Sequence, residues 1–228
     1  EFRDSAPAFD PAGRYLYFVS VRTFDPVYDN VQFELSFPRA ARPYLIALQA
    51  DARPPFDPAP RGMKPTPGVG DSHAGAEGRG DGAARALRID LEGIERRVAA
   101  FPVPEGRYGT IAATARHVFW TSYAVPGAHG RGGHKEAPGR LEAFDFDMMR
   151  TETWVERVDA FALSADSTTL VVRESRKLRA FDAAHKPETK DGDQSPSRAS
   201  GWIDLQRVRV AVDPRAEWPQ MLREVWRL

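Results

Sequence analysis

The sequence predicts an all-β fold, a partial β-propeller of four-stranded blades, about three of them, followed by one α-helix. Three observations carry this. Short apolar runs recur on either side of tight-turn residues. Two runs share an L-x-A-F-D core, Leu141–Asp145 and Leu178–Asp182, and two later segments share Ile-Asp-Leu, at Ile89–Leu91 and Ile203–Leu205. Trp120 and Val172 stand at matching places about 50 residues apart, a blade-sized period.

Each unit reads as four strands. The first is Ser5–Phe9, then Ile111–Thr114, then Phe161–Ser164. The second is Tyr15–Val19, Val118–Thr121 and Leu170–Val172. Asp10-Pro11-Ala12-Gly13 and Ala165-Asp166-Ser167 supply turns between them, and β-formers flanking such turns mark hairpins. Third strands fall at Tyr44–Leu48, Leu141–Asp145 and Leu178–Asp182. Fourth strands are expected at Ile89–Val98, Trp154–Val158 and Ile203–Val210. Phe18 and Trp120 lie about two periods apart, and setting aside residues 53–86 and Thr23–Arg39 restores one.

The innermost strands are rich in small residues: Ser5-Ala6-Pro7-Ala8, Gly109-Thr110-Ile111-Ala112-Ala113 and Asp159-Ala160-Phe161-Ala162. Such residues suit an axis where blades converge. A β-sandwich of similar hairpins is the alternative. An arc of about three blades cannot close a ring, so faces carrying Phe18, Trp120 and Val172 are expected to stay partly bare.

Residues 1–212 are thus expected to be blades with three interruptions. Residues 53–86 are dense in Pro and Gly, with Phe56, Met63 and Val69 as the larger apolar side chains, and predict a disordered insert. Residues 126–139 and 184–200 predict flexible loops. From 213 the pattern changes. Asp213-Pro214 is a helix start, and Trp218, Met221, Leu222 and Val225 form one helical stripe. Pro219 then either kinks the helix or sits in the first turn of a restarted one.

Lys+Arg and Asp+Glu both number 32, so the formal charge is zero, which removes the simplest case for a nucleic-acid or anionic-membrane partner. The absence of cysteine excludes disulfides, Cys-ligated zinc and a cysteine nucleophile, and fits a reducing cytosol. No apolar run approaches a membrane span. The chain opens Glu1-Phe2-Arg3-Asp4 without an initiator Met and stops at Trp226-Arg227-Leu228 within the predicted helix. Both ends therefore read as cut from a larger soluble protein.

Catalytic signatures are absent: there is no G-x-S-x-G, H-E-x-x-H, Walker A or dinucleotide-binding glycine motif. His129 and His134 flank a glycine loop with no third ligand nearby, and read as solvated, as do His73 and His185. His117 opens a strand and reads as a surface or strand-edge residue. Ser20 and Ser122 occupy equivalent repeat positions, which is explained by blade structure. Asp145 and Asp182 recur after the shared core, and recurrence points to a turn or inter-strand hydrogen bond. No catalytic, metal or cofactor-binding residue is assigned, and no cofactor is expected.

Ala6–Phe18 resembles the repeat of tricorn-type and TolB-type propellers. Phe24–Asp29, Phe37-Pro38-Arg39 and Arg42–Leu45, together with Ile89–Ile94 followed by Arg97 and Val98, resemble the second propeller of tricorn proteases. Gly201–Leu205 through Val212–Trp218 resembles the passage from that propeller into the first catalytic subdomain, which would begin with 213–228. The long 53–86 insert and Pro219 depart from the pattern.

The resemblance implies a cytoplasmic serine protease with two propellers, a PDZ-like domain and a catalytic core. Such enzymes assemble as hexamers and trim oligopeptides released by the proteasome or similar proteases. Substrate is expected to pass through the second propeller. The catalytic Ser, His and Glu would lie downstream of this segment, whose own part would be gating, delivery and scaffolding. The implied partners are peptides and further copies of the protein. Two rivals stand beside this reading: a non-enzymatic TolB-like propeller that binds proteins or peptides, and the propeller of a prolyl-oligopeptidase-type peptidase.

Overall fold

The computed structural model describes residues 2–23, 27–28, 35–36, 40–52, 54–56, 87–124, 138–188, 195–209, 211 and 213–227. Most of the 53–86 insert, and residues 126–137 and 189–194 of the two expected loops, lie outside the described residues.

Three antiparallel sheets follow one another along the chain. The first contains β1 (Arg3–Phe9) and β2 (Tyr15–Val21). A separate hairpin of β3 (Val27–Tyr28) and β4 (Leu35–Ser36) comes next, then β5 (Ala41–Ala47) and β6 (Val98–Ala100), giving the order β1-β2-β5-β6. The second sheet is β7 (Arg107–Ala113), β8 (His117–Tyr123), β9 (Gly139–Asp145) and β10 (Arg150–Val158), each strand beside its chain neighbour. The third is β11 (Ala160–Leu163), β12 (Thr169–Glu174) and β13 (Lys177–Asp182). Gly139, expected in a loop, is the first residue of β9.

One turn device closes all three inner hairpins: a short polar residue at the end of the inner strand. Asp10 Oδ2 accepts from Arg14 N at 3.1 Å, Thr114 Oγ1 from His117 N at 2.9 Å, and Ser164 Oγ from Thr169 N at 2.9 Å. Side-chain oxygens of this kind satisfy turn N–H groups that have no ladder partner. Asp145 and Asp182 do the same after the third strand, as their recurrence implied. Asp145 Oδ1 accepts from Asp147 N and Met148 N, and Asp182 Oδ1 from Ala184 N.

Of the fourth strands, Trp154–Val158 lies in β10 as expected and the other two differ from expectation. Ile89-Asp90-Leu91 is not a strand; a 3-10 turn spans Ile94–Arg97 and only Val98–Ala100 pairs with β5. In the third sheet, Trp202 forms an isolated bridge to Arg179 and Leu205–Arg207 is again a 3-10 turn. The reason lies in the aspartates. Asp90 Oδ2 accepts from Ala50 N, and Asp204 Oδ1 from Gln206 N. The shared tripeptide therefore carries an aspartate whose carboxylate accepts a loop N–H ahead of a 3-10 turn, capping that turn only at Asp204, with Ile89, Leu91, Ile203 and Leu205 left exposed.

The sheets pack face to face. On each second strand, alternate residues face opposite neighbours. Tyr15 and Tyr17 of β2 meet Val118 and Trp120 of β8 in one core. Phe119 of β8 meets Leu170 and Val172 of β12 in the next. Phe101, 1% exposed, lies in the crossover from β6 to β7 and contacts the rings of Tyr17, Phe56, Trp120, Phe144 and Phe146. Trp120 and Val172 are fully covered and Phe18 is 7% exposed, so the expectation that they stay bare is overturned. The first two sit between sheets, and Phe18 is covered by Arg22 and by stacking on Tyr44.

Residues Pro214–Arg227 form α1, a single 14-residue helix. Asp213 starts it, accepting Arg215 N on Oδ1 and Ala216 N and Glu217 N on its carbonyl. The helix continues through Pro219. The helix is not restarted there: Pro219 is interior, where it withdraws the N–H that would bond the Arg215 carbonyl and crowds that carbonyl. Trp218, Met221, Leu222 and Val225 are all exposed.

These facts separate the stability effects of two apolar residues. Phe101→Ala should cost about 3–5 kcal/mol, the range for a buried aromatic. Leu222→Ala in this chain should change stability by no more than about 0.5 kcal/mol, as for an exposed site. Urea unfolding of both variants checks this, and equal losses would show that the helix is docked.

Candidate functional site

The surface with the most functional content is the one formed by the innermost strands. β1 lies against β7, and β7 against β11, so the three sheets converge along these edges. Ser5 and Pro7 of β1, Thr110 of β7, and Ala160 and Ala162 of β11 are exposed there. Small side chains let the strands approach, as the sequence implied. Gly109 is required by the neighbouring strand β8 of its own sheet. A Cβ added to it would stand 2.6 Å from Thr121 Oγ1 and 3.1 Å from the Tyr123 ring.

One end of this surface is bounded by a polar seam between the first two sheets. Arg42 Nε donates to Val103 O at 2.8 Å, Thr23 Oγ1 to Glu105 Oε1 at 2.8 Å, and Tyr108 OH to Pro104 O at 2.7 Å. Glu142 accepts from Trp120 Nε1 and Ser122 Oγ, both at 2.8 Å. Burial, reinforced by the nearby Glu142 charge, pushes the Tyr108 hydroxyl up to about 12. Tyr108 is therefore a neutral hydrogen-bond donor at physiological pH. The seam fixes the crossover 101–106.

The residues weighed for chemistry fall as follows. Ser122 is held by Glu142, and Ser20 Oγ accepts from Arg22 Nε at 3.0 Å. Their equivalence in the repeat is structural. His185 is exposed, with Nδ1 3.3 Å from Asp182 Oδ2. His73, His129 and His134 lie outside the described residues. Among the described residues, no group of three or more acidic or histidine side chains could hold a metal ion.

His117 corrects the sequence reading. It is 5% exposed, not a surface residue. It opens the central strand β8 on the side facing the third sheet and lies edge-on to Trp154. Nε2 sits 3.4 Å from Asp145 Oδ2, while buried Nδ1 has no hydrogen-bond partner among the described residues. Burial lowers its pKa most, with Asp145 pulling the other way and Arg116 assisting the fall. Asp145 itself is pulled upward by burial, yet the N–H groups of Met148 and Asp147, with His117 and Arg116, hold it below the usual carboxylate value.

The two shifts act in one direction. The folded chain keeps His117 neutral, whereas the unfolded chain binds a proton below about pH 6.5. The stability from neutral His117 is complete above that value and is lost as pH falls through the lowered folded pKa. Asp145 adds a second loss at lower pH, below the ordinary carboxylate value. His117→Phe should therefore flatten the fall in thermal midpoint between about pH 7 and pH 5. An unchanged slope, measured by circular dichroism melts across that window, would exclude His117 as its source.

Residues 1–184 match the family described as the tricorn protease second beta propeller domain. The chain is 37% identical over 229 residues to the tricorn protease homolog of Saccharolobus solfataricus, covering 99% of this chain and 19% of the relative. It is 37% identical over 233 residues to the putative tricorn protease homolog 2 of Streptomyces coelicolor, covering 100% and 19%. The crystal structure of the tricorn protease superposes with a TM-score of 0.70 at 24% identity, covering 98% of this chain and 19% of that one. The chain spans about a fifth of the length of these relatives. It belongs to the tricorn protease family, as a segment of the second β-propeller.

Proposed function

We propose that this segment lines part of the axial passage of a tricorn-like serine protease, and that oligopeptides reach an active site elsewhere in the longer protein along it. The observation that carries the reading is the convergence of β1, β7 and β11, with small exposed residues on the converging edges. A passage for unfolded chains needs a rigid wall with room beside it. Core packing on both faces of the second sheet supplies the rigidity. Scaffolding is the second part of the role. The parent is read as a cytoplasmic homo-oligomer, a hexamer, that degrades peptides released by the proteasome or similar proteases.

The reading makes a discriminating prediction. Thr110→Trp and Ala162→Trp place bulky rings on exposed positions of the inner strands. In the parent protease each should slow the hydrolysis of long oligopeptides several-fold while a short chromogenic peptide, able to enter by other routes, is cleaved at the original rate. Steady-state kinetics on the two substrate lengths measures the ratio. An unchanged ratio would place the peptide route away from these strands.

A further inference from the structure

The inner strands are edge strands, and their free edges border the surface along which an extended peptide would travel. A free edge offers unpaired N–H and C=O groups, and an extended peptide is the partner that completes it by adding a strand. A passage lined with such edges would hold its cargo. In each of the three sheets, the inner edge is interrupted before it can act as a template.

In β1 the interruption is twofold. Asp10 N donates to Tyr15 O, so by antiparallel alternation Ala8 turns its peptide groups toward β2 and Phe9 turns its own outward, while Pro7 falls in the stretch between Ser5 and Ala8 that has no register partner in β2. That stretch therefore holds a proline, which has no N–H to offer. The register shifts across it, between Ser5 and Ala8, and Ala6 adopts a left-handed backbone at φ 51°. In β7 the register shifts at the corresponding place, between Tyr108 and Ile111. Both shifts place one extra residue on the inner strand, which is a β-bulge. In β11 the device is length. The strand has four residues, Ala160–Leu163, and the preceding Asp159 has its N–H on Arg173 O of β12 and its Oδ2 accepting from Ser175 N. The outer edges are protected differently: β13 is covered at Arg179 by Trp202, and β10 carries Arg150, Glu152, Glu156 and Arg157.

We infer that the axial edge of this segment is built to refuse strand addition, so that an extended peptide slides past it without annealing. This rests on the passage reading for its purpose, but the property of the edge is testable without it. Two variants straighten the edge: deletion of Ala6 combined with Pro7→Val in β1, and deletion of Gly109 in β7. The probe is a fluorescein-labelled peptide of alternating Thr and Val with lysine at each end, titrated with the 228-residue chain and followed by fluorescence anisotropy. Circular dichroism melts confirm that each variant is folded. Pro7→Val alone, which restores the donor without altering chain length, stands in where a deletion does not fold.

The expected result is no saturable binding by the original chain and binding at least about tenfold tighter by a straightened variant, the gain from one or two net backbone hydrogen bonds. Amide protection of the straightened strand on adding peptide should accompany it. Equal binding by the original chain would overturn the inference, and so would equal refusal by every folded variant. None of these outcomes depends on where the parent protease admits its substrates, which the bulky substitutions at Thr110 and Ala162 address separately.

Discussion

The structure depends on aromatic packing between consecutive sheets, and Phe101 is its centre. A sheet with two apolar faces is stable only when both are covered. Phe101 sits where the chain crosses from the first sheet to the second, its N–H donating to Pro43 O. It contacts Tyr17 on one side and Trp120, Phe144 and Phe146 on the other. The crossover is therefore a wedge as well as a link. Once it is seated, the spacing of the first two sheets is set. With that spacing come the polar seam at Arg42, Tyr108 and Glu142 and the approach of β1 to β7.

That approach governs the functional surface. Strands can converge only where side chains are small, and the sequence places Ala, Ser, Gly and Thr there. Converging strands cannot also be paired with one another, because each sheet turns an edge toward the axis. The fold thus creates exposed backbone at the place a peptide would pass. Proline, bulges and shortness answer that liability in β1, β7 and β11 respectively. These are the means by which β proteins ordinarily suppress edge-to-edge association.

Much of this was legible in the sequence, and the misses have physical causes. The hairpins were readable because β-formers alternate with turn residues, and Asp145 and Asp182 because they recur. Ile89-Asp90-Leu91 was misread as a strand because its apolar pair resembles one. The informative residue was the aspartate between them, whose carboxylate caps Ala50 N. Phe101 went unremarked because it stands alone in a short crossover with no periodicity around it. His117 was placed at the surface because a polar residue opening a strand usually sits there. Its burial follows from a tertiary fact, the approach of Trp154 from β10, which no local pattern encodes. The inner-strand bulges were equally hidden, since a register depends on the partner strand.

The two end faces of the stack are unequal, and the inequality follows from the same alternation. On the first sheet, Leu16, Phe18 and Ile46, with Phe2 and Val98, line an apolar groove of about 480 Å³. On the third, the positions in register with Tyr15, Tyr17 and Val19 hold Thr169, Val171 and Arg173. The first face resembles the faces already buried inside the segment, and leaving it in water forgoes a comparable gain. The second offers little apolar area and carries a charge that must stay solvated or paired. Sheets in a propeller are held by such faces in series, so the strength of each seam is set by the residues that alternate onto it. By that measure the seams around Phe101 and Phe119 are strong. A neighbour on the Thr169 side would be held chiefly by polar contacts, which water can replace at little cost.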